Sequence, residues 1–314
     1  MHVLVVCLNP TVQRTYVVED LRIGEVNRVK EHRVDASGKG VNAARVLAAL
    51  GAEARHLTHS GGREDELFVE LAEADGVRME TVSADVELRV ANTIVDRRNH
   101  TTTEVVEEGR VVTAEVEHRV WRRYTELLGE VDAVLIAGSK APGFSGDLFP
   151  SMVARAREED RFVLLDYRGD DLVASLRHAP QVVKPNFVEF VHTFLPERSE
   201  VARSEHTQEP SLVSAVCEEM LRIHRQFRTD VVLTRGSRPT FFTENGRVRE
   251  EPVPAIAPVN TIGSGDAFGA GFLYKRLSGA TMREAVAFAH TCATDNAGLL
   301  KPGAIGTPAR NPAE

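Results

Sequence analysis

The apolar positions of this chain change their period from stretch to stretch, and the period predicts the element. Residues 3–8 (VLVVCL) are continuously apolar, as a strand buried on both faces requires. Residues 41–50 carry apolar side chains at helical spacing and stop at Gly51, a residue suited to a helix end. Residues 54–59 predict a strand, and 64–74 an amphipathic helix closed by Gly76. From there to about residue 113 the texture changes. Stretches 88–95, 101–106 and 110–113 are rich in β-branched residues and separated by polar turns, which predicts a small antiparallel sheet.

After that patch the alternation resumes. Helices are predicted over 115–128, 148–157, 187–194 and 211–227, and strands over 133–137, 162–166, 181–184 and 230–234. Residues 240–243 and 247–250 flank Asn245-Gly246, a strong hairpin signal. Helices over 266–278 and 281–299 follow, while 197–210 reads as a mobile loop. Strands alternating with helices predict an α/β domain with a mostly parallel sheet covered on both faces, without internal repeats.

Composition narrows this picture only a little. The chain has 314 residues, enough to bury a large core in one domain, and its 42% hydrophobic and 27% charged content is ordinary for a soluble protein. No apolar run approaches the roughly 18 residues of a membrane span, and MHVLVVCLNP reads as a first strand rather than a signal peptide. Cys7, Cys217 and Cys292 form neither a metal pair nor a disulfide framework, which fits the cytoplasm. A formal net charge of −8 argues against nucleic acid as the main partner. His56 and His59 lack a metal cluster and read as core or surface residues.

Three stretches carry candidate chemistry. In VNTIGSGDAFGAGFL a β-prone run meets Gly263-Ser264-Gly265, and Asp266 stands at the mouth of a helix. Glycines allow close backbone approach, and a helix N-terminus binds anions, above all phosphate. Asp266 is then either an ordinary N-terminal acid or a base beside a phosphoryl group. In DASGKGVNAARVLAALG a second Gly-rich turn places Lys39 between Gly38 and Gly40, with Asn42 and Arg45 on the first helical turns. It is not a nucleotide P-loop, because Gly40 and not Ser or Thr follows the lysine. In VVKPNFVEF, Pro185 ends a strand, and Asn186 with Glu189 reads either as a capping box or as oxygen ligands suited to Mg²⁺ through its waters.

Taken together, these stretches resemble the PfkB family of ribokinase-like carbohydrate kinases over nearly the whole chain. The branch most similar is that of 1-phosphofructokinase and tagatose-6-phosphate kinase. CLNPTVQRTYVV with LRIGEVNRV, SGKGVNAARVLAALG, AGSKAPG, KPNFVEF and NTIGSGDAFGAGFL carry the likeness. The resemblance implies a three-layer α/β/α domain spanning residues 1–314, with a small antiparallel β lid from about 10–35 and 87–113. It implies ATP and Mg²⁺ as cofactors, a sugar or sugar-phosphate substrate, and a homodimer paired through the lid. By motif match, Asp266 is the general base and Gly263, Ser264 and Gly265 supply anion-hole amides. Asn186 and Glu189 organise Mg²⁺ and the nucleotide phosphates, Thr234 and Gly236 meet ATP, and Asn296 lies near the adenine. Gln13, Arg28, Gly38, Lys39, Asn42, Arg89, Ser139 and Lys140 fall at substrate positions.

The chain departs from the branch at three places. Gln13 replaces a usual Asp, Lys140-Ala141 replaces Leu-Pro, and Glu107-Glu108 replaces Pro-Gly in the lid. An amide donates as well as accepts, so Gln13 alters the hydroxyl pattern the site would select. Gln13 and the two glutamates point away from plain fructose-1-phosphate or tagatose-6-phosphate specificity. Two further readings stand beside a sugar-phosphate kinase: a kinase for an unphosphorylated sugar or nucleoside, and a non-catalytic ATP-binding regulator on the same fold.

Overall fold

The computed structural model describes residues 1–202 and 209–306. The chain opens with β1 (His2–Val6), β2 (Thr11–Val18) and β3 (Glu31–Ser37), then α1 (Lys39–Ala49), β4 (Glu53–Ser60) and α2 (Asp65–Ala74). It continues with β5 (Arg78–Ser83), β6 (Arg89–Asp96), β7 (Thr101–Val106), α3 (Ala114–Leu128), β8 (Ala133–Ala137) and α4 (Leu148–Glu158). β9 (Phe162–Asp166), α5 (Asp170–Leu176), β10 (Val182–Val183), α6 (Phe187–Phe194) and α7 (Pro210–Phe227) follow. β11 (Asp230–Arg235), β12 (Arg238–Glu244), β13 (Arg247–Glu251), α8 (Ser264–Leu277) and α9 (Met282–Ala297) complete the described elements.

Side chains alternate across a strand, and the apolar runs exploit both faces. In β1, Val3 and Val5 pack into one core while Leu4 and Val6 pack into the other. Ala133, Leu135 and Ala137 of β8 separate from Val134 and Ile136 in the same way. These strands sit inside a nine-stranded sheet of order β13-β12-β11-β10-β9-β8-β1-β4-β5. From β11 to β5 the pairs are parallel, and β12 and β13 add antiparallel strands at one edge. One core is lined by α1, α8 and α9, the other by α3, α4, α6 and α7, which makes three layers. The Asn245-Gly246 turn forms as predicted, with both residues at positive φ (50° and 71°).

The lid differs from the expected antiparallel patch. It is a four-stranded sheet of order β3-β2-β6-β7, in which the central pair β2/β6 is parallel and the outer pairs are antiparallel. Residues 110–113 join no strand, because the amide of Val112 bonds to the carbonyl of Pro142 at 2.8 Å and holds the segment to the body. β5 and α5 were not expected. β5 is an edge strand of mixed polarity and α5 is only two turns long, so neither leaves a long periodic run. Of the loop expected at 197–210, residues 203–208 lie outside the described residues, and Pro210 already begins α7. Among the described residues no helix is long and apolar enough to cross a membrane.

Candidate active site

The N-termini of α1, α6 and α8 open at the carboxyl ends of the parallel strands, where α/β sheets place ligands. Glycines at three positions shape the approach of α1 and α8. Gly38, at φ 102°, turns the chain from lid strand β3 into α1. Gly40 seats α1 on the sheet, since a Cβ there would lie 2.4 Å from Cys7 Cβ and 2.5 Å from His56 Nε2. Gly263, at φ 83°, packs so closely on the C-terminal segment that its Cβ would lie 2.5 Å from the Gly303 amide nitrogen. His56 and His59 are core residues, and burial holds the His56 imidazole down to about 3, so it stays neutral at physiological pH.

The first intrahelical bond of α8 runs from the Ala267 amide to the Gly263 carbonyl, at 2.8 Å. Ahead of it the Ser264 amide turns back to the Thr261 carbonyl at 3.2 Å, so this amide is not one of the free donors expected. The amides of Gly265 and Asp266 precede the helical ladder and have no backbone partner among the described residues, the arrangement at a helix mouth that suits an anion. Gly265 is exposed, and a Cβ on it would meet nothing within 4 Å.

The Asp266 carboxyl is buried in this mouth and accepts a hydrogen bond from Asn42 Nδ2 at 2.8 Å. Burial pushes its pKa up to about 7; Lys39, the Asn42 bond and Lys184 oppose that rise, and Asp166 adds to it. Asp266 is thus poised to exchange a proton near neutrality.

Lys39 projects from the first turn of α1 and bridges two carboxylates, Asp166 Oδ1 at 3.1 Å and Glu189 Oε1 at 3.3 Å. Burial works against its charge, but Asp166, Glu189 and Asp266 outweigh it and hold the ammonium well above its ordinary pKa. Asp166 also pairs with Lys184 Nζ at 2.9 Å, and the two lysines overcome burial to keep its carboxyl below the usual range. Lys184 threads under α8, where a Cβ at Gly269 would stand 3.1 Å from its Cε. Asp166 and Lys184 are site residues that sequence reasoning missed. The available signal was a charged residue ending each of two apolar strands, LLD and VVK.

Asn186 and Glu189 form a capping box: Asn186 Oδ1 accepts from the Glu189 amide at 2.8 Å, and Glu189 Oε2 from the Asn186 amide at 3.0 Å. The structural reading of this motif holds, and its carboxylate still faces Lys39. Thr234 lies beside Asn186 through a parallel bridge, and Gly236 follows it on the surface.

On the lid side, Arg89 Nη2 donates to the Asn9 carbonyl at 3.0 Å, and Asn9 Nδ2 donates to Ser139 Oγ at 3.1 Å. Arg89 forms no ion pair with a described residue. Gln13 is buried with both ends of its amide engaged: Oε1 accepts from Ser37 Oγ at 2.6 Å, and Nε2 donates to Thr93 Oγ1 at 2.6 Å.

Three expected site residues are placed elsewhere. Lys140 swings away to Asp171 at 2.8 Å and lies over the Phe149 ring, with only 9% of its side chain exposed. Asn296 is fully buried; it accepts from Ser264 Oγ at 3.2 Å and donates to the carbonyls of Lys301 and Ala304, so its amide is spent on bracing the turn. Arg28 lies exposed on the connection between β2 and β3 and makes no hydrogen bond or ion pair with the described cluster residues.

A buried carboxyl at the mouth of α8, a lysine bridging two carboxylates and the second sheet joined to α1 through Gly38 make up the candidate site. A model of the pfkB family of carbohydrate kinases matches residues 4–305, and the chain belongs to that family, whose members are ATP- and Mg²⁺-dependent sugar kinases. Among solved structures it is similar to phosphofructokinase-2 from Escherichia coli in complex with potassium, with TM-score 0.81 and 20% identity over 98% of this chain and 96% of that one. It is also similar to a protein from Thermotoga maritima described as a possible 1-phosphofructokinase, with TM-score 0.83 and 22% identity over 98% and 94% of the two chains. At these identities the likeness is one of fold.

Proposed function

We propose that the protein transfers the γ-phosphoryl group of ATP to a hydroxyl of a sugar phosphate, with Asp266 as general base. The observation that carries this reading is the buried Asp266 carboxyl, with its pKa near 7, beside the unpaired amides of the α8 turn. As the acceptor oxygen bonds to the γ-phosphorus, its proton passes to Asp266 and the bond to the ADP oxygen breaks. The unpaired Gly265 and Asp266 amides would face the charge on the moving group, so little reorganisation is needed.

Asn186 and Glu189 fit Mg²⁺ through its retained waters, since both side chains are engaged in the capping box and, among the described residues, no three acids, histidines or cysteines are placed to hold a metal ion directly. When bound with ATP, Mg²⁺ would neutralise phosphate charge. Thr234 and Gly236 border the nucleotide side of this arrangement.

Arg89 supports a phosphorylated acceptor, because it is a partly buried cation that forms no direct ion pair among the described residues and feels the Glu104 carboxyl only at longer range. Arg28, on the lid, would join it on closure. An uncharged acceptor is the second reading, favoured by the commitment of Lys39 to Asp166 and Glu189. ADP release measured against hexose monophosphates, free sugars and nucleosides separates the two. Turnover confined to phosphorylated acceptors is expected; turnover on uncharged acceptors alone would refute the assignment of Arg89.

Pairing of two copies through the lid belongs to the same proposal. The exposed Ile23, Val26 and Val105 of the lid sheet and its connection support it, and a monomeric mass in light scattering would refute it.

A further inference from the structure

Arg45 was noticed in the sequence only as a residue on the first turns of a helix. In the structure it is 5% exposed and its guanidinium joins four segments. Nε donates to Asp75 Oδ2 at 2.7 Å, Nη2 to the Ala36 carbonyl at 2.6 Å, and Nη1 to the Pro302 carbonyl at 2.7 Å and Asn42 Oδ1 at 3.2 Å. Three of these partners bear on the site. Ala36 lies at the root of the lid, in β3. Pro302 adjoins Gly303, whose Cβ would lie 2.4 Å from Asn42 Cα and whose own amide nitrogen supports Gly263. Asn42 holds Asp266.

A guanidinium has no acceptor, so the Asn42 atom that faces it must be the carbonyl oxygen. That leaves the amide N–H₂ for Asp266, and the base is presented with a donor, which favours its ionised form. We propose that Arg45 is a positioning residue for phosphoryl transfer: it fixes the orientation of Asn42 toward Asp266 and ties the support of the Gly263 turn to α1. Arg45 touches no reacting atom. Its role rests on Asp266 being the base.

The other groups bearing on Asp266 are Lys39 on α1, Asp166 at the end of β9, Lys184 beyond β10 and Cys7 beyond β1, and none of them contacts Arg45. Removing Arg45 therefore acts on the base through Asn42. With that orientation lost, Asp266 should hold its proton to higher pH.

The test is the pH profile of kcat/KM for the sugar in Arg45→Lys, in the double variant Arg45→Met/Asp75→Asn, and in Asp75→Asn alone. The double variant removes the Arg45–Asp75 pair together, and Lys301, which also pairs with Asp75, keeps Asp35 as a partner in both Asp75 variants. Asp75→Asn alone loosens the same corner but leaves the bond to Asn42. The expected result is an acidic limb moved up by about one pH unit in the double variant, a loss of on the order of tenfold at pH 6, moved less in Arg45→Lys, whose ammonium can still donate to Asn42, and unmoved in Asp75→Asn. A limb that stays in place in the Arg45 variants, with only the melting temperature lowered, would overturn the proposal. An Asp266→Asn variant as active as the parent would remove the base itself and the role of Arg45 with it, a distinguishable failure.

Discussion

Gly263 and Gly265 stand two residues apart in one turn, and the structure predicts opposite consequences when each becomes alanine. Gly265 has helical geometry and open space where a Cβ would go, so Gly265→Ala strains nothing. Alanine is the better helix former, and folding should gain about 0.5–1 kcal/mol, or roughly 1–3 °C in Tm. The same methyl should damage the kinase. Every helical Cβ leans toward the helix N-terminus, so a side chain at 265 stands in the mouth that the phosphoryl group must enter. Keeping phosphate from one amide donor costs on the order of 10²-fold in kcat. Gly263→Ala should behave in reverse. At φ 83° a side chain costs about 1–2 kcal/mol, and a Cβ 2.5 Å from the Gly303 nitrogen forces two backbones apart. A total near 3 kcal/mol, about 6–12 °C in Tm, is expected. Thermal melts and initial rates of ADP release on the same preparations decide the matter. Gly265→Ala within threefold of the parent in kcat would refute the anion-hole reading of this turn.

Two further outcomes follow from the electrostatics. Asp266 titrates near 3.8 when unfolded and near 7 when folded. Below pH 4 both states carry the proton. Between pH 4 and 7 only the folded state keeps it, so stability falls as pH rises, and above 7 the full penalty, on the order of 4 kcal/mol, is present. Asp266→Asn should thus be more stable than the parent above pH 7, and denaturation midpoints of the two should converge toward pH 4; parallel curves would contradict the shift. Arg89→Met should raise KM for a sugar phosphate about 10²-fold with KM for ATP unchanged, whereas Lys140→Met should leave both in place, because Lys140 is occupied by Asp171.

The layered α/β plan was legible because its central strands are continuous apolar runs and its helices end at glycines. The lid strands were not legible by period alone. β3 reads EHRVDAS, and a strand at a sheet edge with one wet face need not alternate cleanly. Asp266, Lys39 and the capping box were legible because glycine turns and helix starts carry local signatures. The partners that tune them were not. Asp166, Lys184 and Arg45 reach the site from positions far apart along the chain, and each resembles an ordinary charged residue until the fold buries it. Asn296 and Lys140 went the other way, since a motif position does not reveal which neighbour will claim an amide or an ammonium.

The central claim is that Asp266 accepts the proton of the attacking hydroxyl. The measurement that tests it most directly is the turnover of Asp266→Asn with Mg·ATP and the preferred acceptor, read beside the affinity of the same variant for ATP. The account predicts a loss of about 10²- to 10⁴-fold in kcat with ATP binding within threefold of the parent. An Asp266→Asn enzyme that turns over within tenfold of the parent would contradict it.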